Sequence, residues 1–301
     1  MSTLLSTLPI RPLTMGDLTA CADLAEDRGW AREEHKWSLL LAAGTGYGIT
    51  DPDDPDGKRL AATCVVTPYG TQLAGVGMML VAGQHARKGL GRRLMTHVLH
   101  EANGTPLMLH ATSYGRPLYQ QLGFKEVGEV ATVAGLFCSS GTGTEATTET
   151  PDDATEATEA AVRAATAGDL PAVIGLDTEV FGVDRTSMIA RLPAFADRLS
   201  VAEEDSALTG YAARWPTAAA DVIGPLIARD TRTAKALISS LITSPDRPIR
   251  IHIDVRHQEL LSWVKEHGLE QVTLTTVMVH GIPDLPGDRT RHFAPLNMAT
   301  G

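Results

Sequence analysis

Residues Val76–Met95 read VGMMLVAGQHARKGLGRRLM, and this stretch carries most of the information about the fold. An apolar strand pattern, rich in β-branched residues and methionine, runs through a glycine-containing loop directly into a helix. The helix is predicted from Gly91 to about Ala102, because apolar side chains recur there every four residues. A loop of this kind directs several backbone N–H groups and the positive end of the helix at one place. The pattern is typical of an anion-binding turn.

Four cationic side chains surround the turn, although the whole chain has a formal net charge of −10. They are Arg87, Lys88, Arg92 and Arg93. Glycines at 89 and 91 let the backbone approach an anion without a Cβ in the way. The local excess of positive charge favours a bound polyanion such as a pyrophosphate, and an ordinary helix start with solvated basic residues is the alternative.

Periodicity predicts a mixed α/β unit around this turn. A strand over 8–12 is followed by helices over about 15–28 and 31–43, and by a hairpin that turns at Asp51–Gly57. Strands are predicted over 59–67, 73–82, 107–112 and 125–137, with a short helix over 117–122. The predicted order is β-α-α-β-β-β-α-β-α-β.

Length and composition predict two domains, because 301 residues exceed the roughly 100–200 of one domain. Residues 139–161 hold six carboxylates and no Lys or Arg. Such a segment cannot bury enough apolar surface to offset its ordering entropy, so it is interpreted as a solvated linker. We therefore divide the chain into a domain over 1–138, a linker over 139–161 and a second domain over 162–301.

The two flanks of the linker resemble each other. Ile10–Leu18 reads IRPLTMGDL and Val162–Leu170 reads VRAATAGDL, with five identities at one offset. The match continues at smaller offsets, since Gly77 corresponds to Gly224, each before a strand-to-helix loop. Several matches in the same order favour duplication, so two copies of one fold are expected.

Composition excludes several classes of function. A net acidic chain is not expected to coat nucleic acid, and no apolar run approaches the ~20 residues of a membrane span. No signal-peptide pattern is visible. Three separated cysteines fit neither a disulfide framework nor a zinc site, which favours the cytoplasm. His97 and His100 lie three apart on a helix without a carboxylate or thiol to complete a ligand set, so no metal is expected.

Two motifs resemble the GNAT acetyltransferase superfamily. Arg87–Met95 (RKGLGRRLM) resembles its acyl-CoA loop, Q/R-x-x-G-x-G/A, and Pro117–Phe124 (PLYQQLGF) resembles its LYEKLGF signature. The second half, with FGVDR at Phe181–Arg185, is similar to the GNAT-like second domain of one bacterial branch. The resemblance implies an α/β protein of two tandem GNAT-like domains, each a twisted mixed β-sheet flanked by helices. This sequence departs from the family at Ala86, where Gln or Arg is usual, and at His110, where the branch has Asp.

The resemblance also implies direct transfer of an acetyl group from acetyl-CoA to the amine of a small molecule, in the first domain. Tyr119 matches the family's tyrosine that protonates the leaving thiolate. His110 is the proposed base, because an imidazole titrates near neutral pH, and a structural histidine is its alternative. A backbone N–H within 79–81 would bind the oxyanion. The residues expected to bind acyl-CoA are Met79, Leu80, Val81, Arg87, Lys88, Gly89, Leu90, Gly91 and Arg92.

Three residues on the second helix, Glu33, Glu34 and His35, are candidates to line the acceptor site, unless they form an exposed helix face. The second domain lacks the glycines of the loop, since Gly89 aligns with Arg232 and Gly91 with Ala234. It is therefore expected to be degenerate and not to bind CoA. Its expected role is to support the first domain, cover the acceptor cleft or form a homodimer contact.

Two other functions stay open at this point. Ala86 and His110 allow an acyl-CoA sensor or structural protein with little turnover. A GNAT-fold acyltransferase that takes its acyl group from an aminoacyl-tRNA is disfavoured by the acidic chain and the intact phosphate loop.

Overall fold

The computed structural model describes residues 5–138, 160–244 and 246–300. Most of the predicted linker, residues 139–159, lies outside the described residues. The described strands are β1 Arg11–Leu13, β2 Thr45–Thr50, β3 Leu60–Tyr69, β4 Leu73–Val81, β5 Leu107–Ala111, β6 Lys125–Gly135, β7 Ala161–Ala164, β8 Arg198–Glu204, β9 Ala207–Pro216, β10 Asp221–Ala228, β11 Ile249–Asp254, β12 Glu270–His280 and β13 His292–Ala294. The described helices are α1 Leu18–Asp27, α2 Glu34–Ala43, α3 Leu90–Glu101, α4 Arg116–Gln121, α5 Leu170–Phe181, α6 Thr186–Ile189, α7 Leu192–Phe195, α8 Thr231–Leu241 and α9 Gln258–Glu266.

The first half follows the predicted element order. The helix predicted from Gly91 is α3, which begins one residue earlier, at Leu90. The predicted hairpin is β2 and β3, which pair antiparallel on either side of the Asp51–Gly57 turn. The sequence was sufficient to predict these elements because each has its own pattern of apolar residues and is bounded by turn-forming residues such as glycine, proline and aspartate.

The duplication is visible as repeated local geometry. In each half an aspartate closes a capping box ahead of the first helix, Asp17 in one and Asp169 in the other. Each aspartate also pairs with an arginine of the preceding strand, Arg11 at 2.6 Å and Arg163 at 2.8 Å. The repeat seen in the sequence therefore corresponds to a repeated strand-to-helix connection.

All thirteen described strands form one sheet, in which the two halves exchange strands. The order along the sheet is β1-β2-β3-β4-β5-β12-β6-β11-β10-β9-β8-β7, with β13 paired to β10. Strand β12 of the second half lies between β5 and β6, and β6 pairs with β11 of the second half. The α/β class with mixed sheets and flanking helices is confirmed, and the exchange joins the two sheets into one.

Helices cover both faces of this sheet. In the first half α3 packs on one face and α1 and α2 on the other. In the second half α8 and α9 pack on the face of α3, and α5 to α7 on the opposite face. Leu39 of α2 is buried in the core formed by α5 to α7, so the halves also share a core. Among the described helices, none has the length and apolar character needed to cross a membrane.

Candidate active site

The centre of the first half is a fork between two parallel strands. Strands β4 and β5 pair only over Ala74–Val76 and Leu107–Leu109, and no pairing continues beyond. Val76 and Leu109 pack toward α3, so the next residues, Gly77 and His110, face the opposite side. A sheet that opens in this way leaves backbone groups of both strands free to contact a ligand.

A β-bulge in β4 lies at the mouth of the fork. The register with β3 shifts between Thr63 and Val65, and Met78 has a φ of 50°. The buried Thr63 hydroxyl donates to the Met78 carbonyl at 3.0 Å. Positive φ is unfavourable for methionine, so the surrounding structure must hold it in place. The bulge is centred at Met78, one residue before the 79–81 stretch in which the oxyanion donor is expected, and no sequence motif points to Thr63.

We expect Thr63→Val to destabilise the bulge. The substitution keeps the shape of the side chain but leaves the Met78 carbonyl without its donor, which costs on the order of 1–3 kcal/mol in a buried site. The matched control is Thr67→Val on the same strand, because the Thr67 hydroxyl is buried without a hydrogen-bond partner. Denaturant unfolding should show a loss of stability in the first variant only. Equal effects of the two substitutions would contradict this role of Thr63.

The loop that follows β4 is shaped for close backbone approach. Gly89 caps α3 with a φ of 88° and supplies no side-chain cap. A Cβ built on Gly89 would meet nothing within 4 Å, so its surroundings are open. Arg87 also has a positive φ, 60°. The first amide groups of α3 therefore face an open space at the positive end of the helix.

The four cations of the turn have different roles. Arg87 and Lys88 are exposed, and no partner for either is found among the described residues. Arg92 donates to a glutamine of α4. Arg93 donates to the backbone near the amino terminus, including the Leu5 carbonyl at 3.2 Å. Arg93 is thus a structural residue, and Arg87 and Lys88 are the cations available to an anion.

A buried pair anchors the start of the loop. His85 Nε2 lies 2.9 Å from Asp51 Oδ1, and Gln84 donates to the other carboxylate oxygen at 2.6 Å. Burial opposes ionisation of Asp51, yet hydrogen bonds from His85 and the Asp53 amide hold its pKa below the usual value. Asp51, Asp53 and His85 have potential ligand atoms within 4.8 Å of one another, so they are candidates for a metal site. Because the Asp51 carboxylate is already bonded to His85 Nε2, Gln84 and the Asp53 amide, the cluster is explained as an anchor for the loop.

Tyr119 lies in the core on the α3 side of the fork. Its side chain is 8% exposed, packs near Phe124, and its hydroxyl has no hydrogen-bond partner among the described residues. Burial raises the pKa of Tyr119 well above its ordinary value. The phenol therefore stays protonated at neutral pH and is free to donate.

The carboxyl-terminal segment, Pro295–Thr300, covers the other side of the fork. His110 forms a hydrogen bond with the backbone of Met298, and Gly77 has no room for a Cβ because Ala299 packs directly against it. Burial lowers the pKa of His110 to about 4, against the opposing effect of that hydrogen bond. His110 is therefore neutral at pH 7, with one ring nitrogen left to accept a proton.

Buried neutral histidines make the fold sensitive to acid. The pKa of His110 is lowered to about 4 and that of His252 to about 3, in both cases mainly by burial. The unfolded chain binds protons at these sites below about pH 6.5, whereas the folded chain does not until the lower values are reached. Stability is therefore lost as the pH falls from about 6.5 toward 4, by up to about 1.4 kcal/mol per pH unit for each group.

We expect the melting temperature to fall between pH 7 and 5, and to fall less steeply in His252→Gln. The glutamine keeps a hydrogen-bonding group near Thr132 but cannot bind the proton. The control is His100→Gln, whose side chain is 86% exposed. Parallel pH profiles for the His252→Gln and wild-type chains would contradict the assignment.

The three candidate acceptor residues are distributed around the junction of the two halves. Glu33 pairs with Lys36, and Glu34 pairs with Arg32 at 2.7 Å in an exposed cluster. His35 stacks on a phenylalanine of α7 and its Nε2 lies 2.8 Å from that residue's carbonyl oxygen. His35 thus contacts the second half, whereas Glu33 pairs within its own helical segment and Glu34 belongs to the surface.

The second half has an equivalent fork, and β13 occupies it. Strands β10 and β11 pair over Asp221–Ile223 and Ile249–Ile251. Beyond Ile223, β10 is bulged and pairs with β13. At the start of α8, Asp230 Oδ1 accepts a hydrogen bond from the Thr233 amide at 2.8 Å. A carboxylate of the chain itself thus stands where the first half has an open glycine turn.

Comparisons with known proteins agree with this architecture. Two domain models, both described as "Acetyltransferase (GNAT) domain", match residues 64–138 and 173–294. The chain is 29% identical over 251 residues to "Uncharacterized N-acetyltransferase YitH" of Bacillus subtilis, covering 82% of this chain and 83% of that protein.

Solved structures show the same fold. A candidate acetyltransferase from Pyrococcus horikoshii matches with a TM-score of 0.77 at 19% identity, over 98% of this chain and 96% of its own. A tandem GNAT protein from the clavulanic acid biosynthesis pathway matches with a TM-score of 0.60 at 15% identity, over 92% of this chain and 99% of its own. Fold and domain matches together define an acyltransferase. The chain belongs to the GNAT acetyltransferase superfamily and carries two such domains in tandem.

Proposed function

We propose that the chain transfers an acetyl group from acetyl-CoA to the amine of a small molecule, by direct attack at the fork of the first half. The observation that carries the proposal is the coincidence of three features: the fork, the β4 bulge and the uncapped start of α3. Residues 1–138 are then the catalytic domain, 139–161 the linker and 162–301 the second domain. Unpaired cysteines fit a cytoplasmic enzyme.

The donor binds along β4 and the glycine turn. Amides of residues 89–92 and the cations Arg87 and Lys88 hold the pyrophosphate. The edge of β4 at Met79–Val81 faces the rest of the CoA chain and brings the thioester into the fork. Both sets of contacts use backbone groups that the structure leaves accessible, which accounts for the tolerance of Ala86 in place of Gln or Arg.

The chemistry needs one proton acceptor, one oxyanion donor and one proton donor. An alkylammonium must first lose a proton to solvent, which leaves the free amine. The amine nitrogen then bonds to the thioester carbon, and a backbone N–H of the β4 bulge stabilises the oxyanion. As the C–S bond breaks and the amide forms, neutral His110 accepts the proton that the nitrogen loses, and Tyr119 gives its proton to the leaving thiolate. Solvent returns the proton to Tyr119 and takes the one held by His110.

The second half supports the first and does not bind a donor. Strand β13 fills the space that a CoA chain would need, and Asp230 already satisfies the start of α8. Strands β6 and β12 each complete the sheet of the other half, so neither half has a complete sheet alone. The second half therefore builds part of the wall against which the acceptor rests.

Release of free thiol from acetyl-CoA, measured with a panel of small amines, tests the proposal. We expect turnover with a subset of amines and formation of an N-acetyl product by mass spectrometry. Tight CoA binding without thiol release from any amine would instead show an acyl-CoA sensor. Failure to bind CoA together with retention of an aminoacyl-tRNA would show a different donor.

A further inference from the structure

A small pocket lies on the His110 side of the sheet, at the junction of the two halves. Strand β5 contributes Met108 and His110 to it, and β12 contributes Val277, which lies directly opposite His110. Val130 of β6 forms the part of the floor that is two strands away from His110. Because His110 itself lines the pocket, the pocket is next to the position proposed for the acceptor amine.

The second half closes the pocket from the opposite side. Val180 and Phe181, at the end of α5, line it together with His292 of β13. The Arg185 guanidinium lies 3.7 Å from the centre of the Phe181 ring and pairs with Asp177 at 2.6 Å. The FGVDR motif therefore supplies an aromatic wall for the pocket and holds that wall in place from behind.

The described residues of the pocket wall carry no net charge at neutral pH. The two charged side chains among them, Asp254 and Arg289, pair with each other at 2.9 Å. Burial lowers the pKa of His110 and that of His292, so both rings are neutral. The other side chains that line the pocket are apolar. A second charge on the acceptor would be buried here without a counter-ion, which costs free energy.

The size of the pocket sets a limit on what can enter it. Its cavity volume is about 30 Å³, which is room for about two water molecules or a few methylene groups. Burial of an apolar group in such a space strengthens binding by about fourfold for each methylene. The walls thus favour a short hydrocarbon group over a long chain.

We infer that this pocket receives the substituent on the acceptor nitrogen, so that the substrate is an amine with a short, uncharged aliphatic group. This inference rests on the proposed function. With the hydrocarbon group held between Val277 and Phe181, the nitrogen remains beside His110 at the mouth of the fork. Binding of the substituent would then orient the amine for attack on the thioester.

A series of primary alkylamines, from methylamine to octylamine, tests the inference. Thiol release from acetyl-CoA is measured for each, and the longer members are compared with the diamine and the ω-amino carboxylate of equal length. We expect KM to fall by about fourfold per carbon, to reach a minimum at about three to five carbons and then to rise. At the best length, the charged analogues should have KM values at least about tenfold higher.

Substitutions at Val130 should move the best chain length in opposite directions. Val130→Ala enlarges the pocket and should favour a longer alkylamine, whereas Val130→Ile adds one methylene and should favour a shorter one. The control is Val272→Ala, at a valine of β12 that is 56% exposed, and it should leave the best length unchanged. The chain length at the minimum does not depend on the fraction of folded protein, so a loss of stability cannot imitate the shift.

Three results would overturn the inference while thiol release still supports the proposed function. They are a KM that does not depend on chain length, a lower KM for a charged analogue, and the same best length in the wild-type chain and both Val130 variants. Absence of thiol release from these acceptors and from every amine of the wider panel would overturn the proposed function as well.

Discussion

Gly89→Val is expected to weaken acetyl-CoA binding by at least about a hundredfold, or roughly 2.7 kcal/mol. Gly89 has a φ of 88°, which a β-branched residue adopts only with strain. Relief of that strain would rotate the first amides of α3 away from the pyrophosphate. The added side chain would also fill the open space beside the glycine, where the phosphate groups have to approach.

Gly104→Val is the matched control for backbone strain. Gly104 has a φ of 87° and, like Gly89, no atom within 4 Å of a built Cβ. It lies in the turn after α3, far from the start of the helix. Isothermal titration should show unchanged affinity in this variant and a comparable cost in stability in both. Equal loss of CoA binding in the two variants would mean that strain, and not the site, causes the effect.

Tyr119→Phe is expected to lower kcat by about a hundredfold or more while leaving CoA affinity nearly unchanged. The substitution keeps the aromatic ring in the core and removes only the hydroxyl. Because burial raises the pKa of Tyr119, the wild-type phenol remains a proton donor over the whole neutral range. Without it, the thiolate must leave unprotonated or take its proton from water.

Steady-state kinetics of the variant measure kcat, and isothermal titration of the same samples measures the affinity for CoA. Tyr114→Phe serves as the control, since Tyr114 is 65% exposed on the loop between β5 and α4. An unchanged kcat in Tyr119→Phe would remove the acid role, and a large loss of CoA affinity would make Tyr119 a binding residue instead.

The elements around the site could be predicted because their signals are local. The glycine turn and α3 are encoded within twenty consecutive residues, Val76–Met95. The capping boxes at Asp17 and Asp169 recur at one offset, which made the duplication visible. Periodicity of side chains within one element needs no knowledge of its neighbours.

The features that close the site are non-local and escaped prediction. Nothing in the sequence of β6 or β12 indicates that each pairs with the other half, since strand pairing depends on partners more than 100 residues away. Nothing in the sequence of β13 indicates that it pairs with β10 and fills the second fork.

Strand exchange makes each half depend on the other for a complete sheet, whether or not both halves bind a donor. The second half supplies β12 beside β5 and the segment that contacts His110. In the second half, strand β13 packs into the fork. The loop before α8 therefore does not need the glycines that the loop before α3 contains. On the proposed function, the first copy binds the donor and the second copy builds part of the acceptor wall.

One fork of the two, that of the first half, is proposed to bind the donor. Isothermal titration of the full chain with acetyl-CoA measures the number of sites directly. We predict one equivalent per chain, and none detectable at the same concentrations in Gly89→Val. Two equivalents in the wild-type chain, or one equivalent bound with unchanged affinity in Gly89→Val, would contradict a single donor site at the first fork.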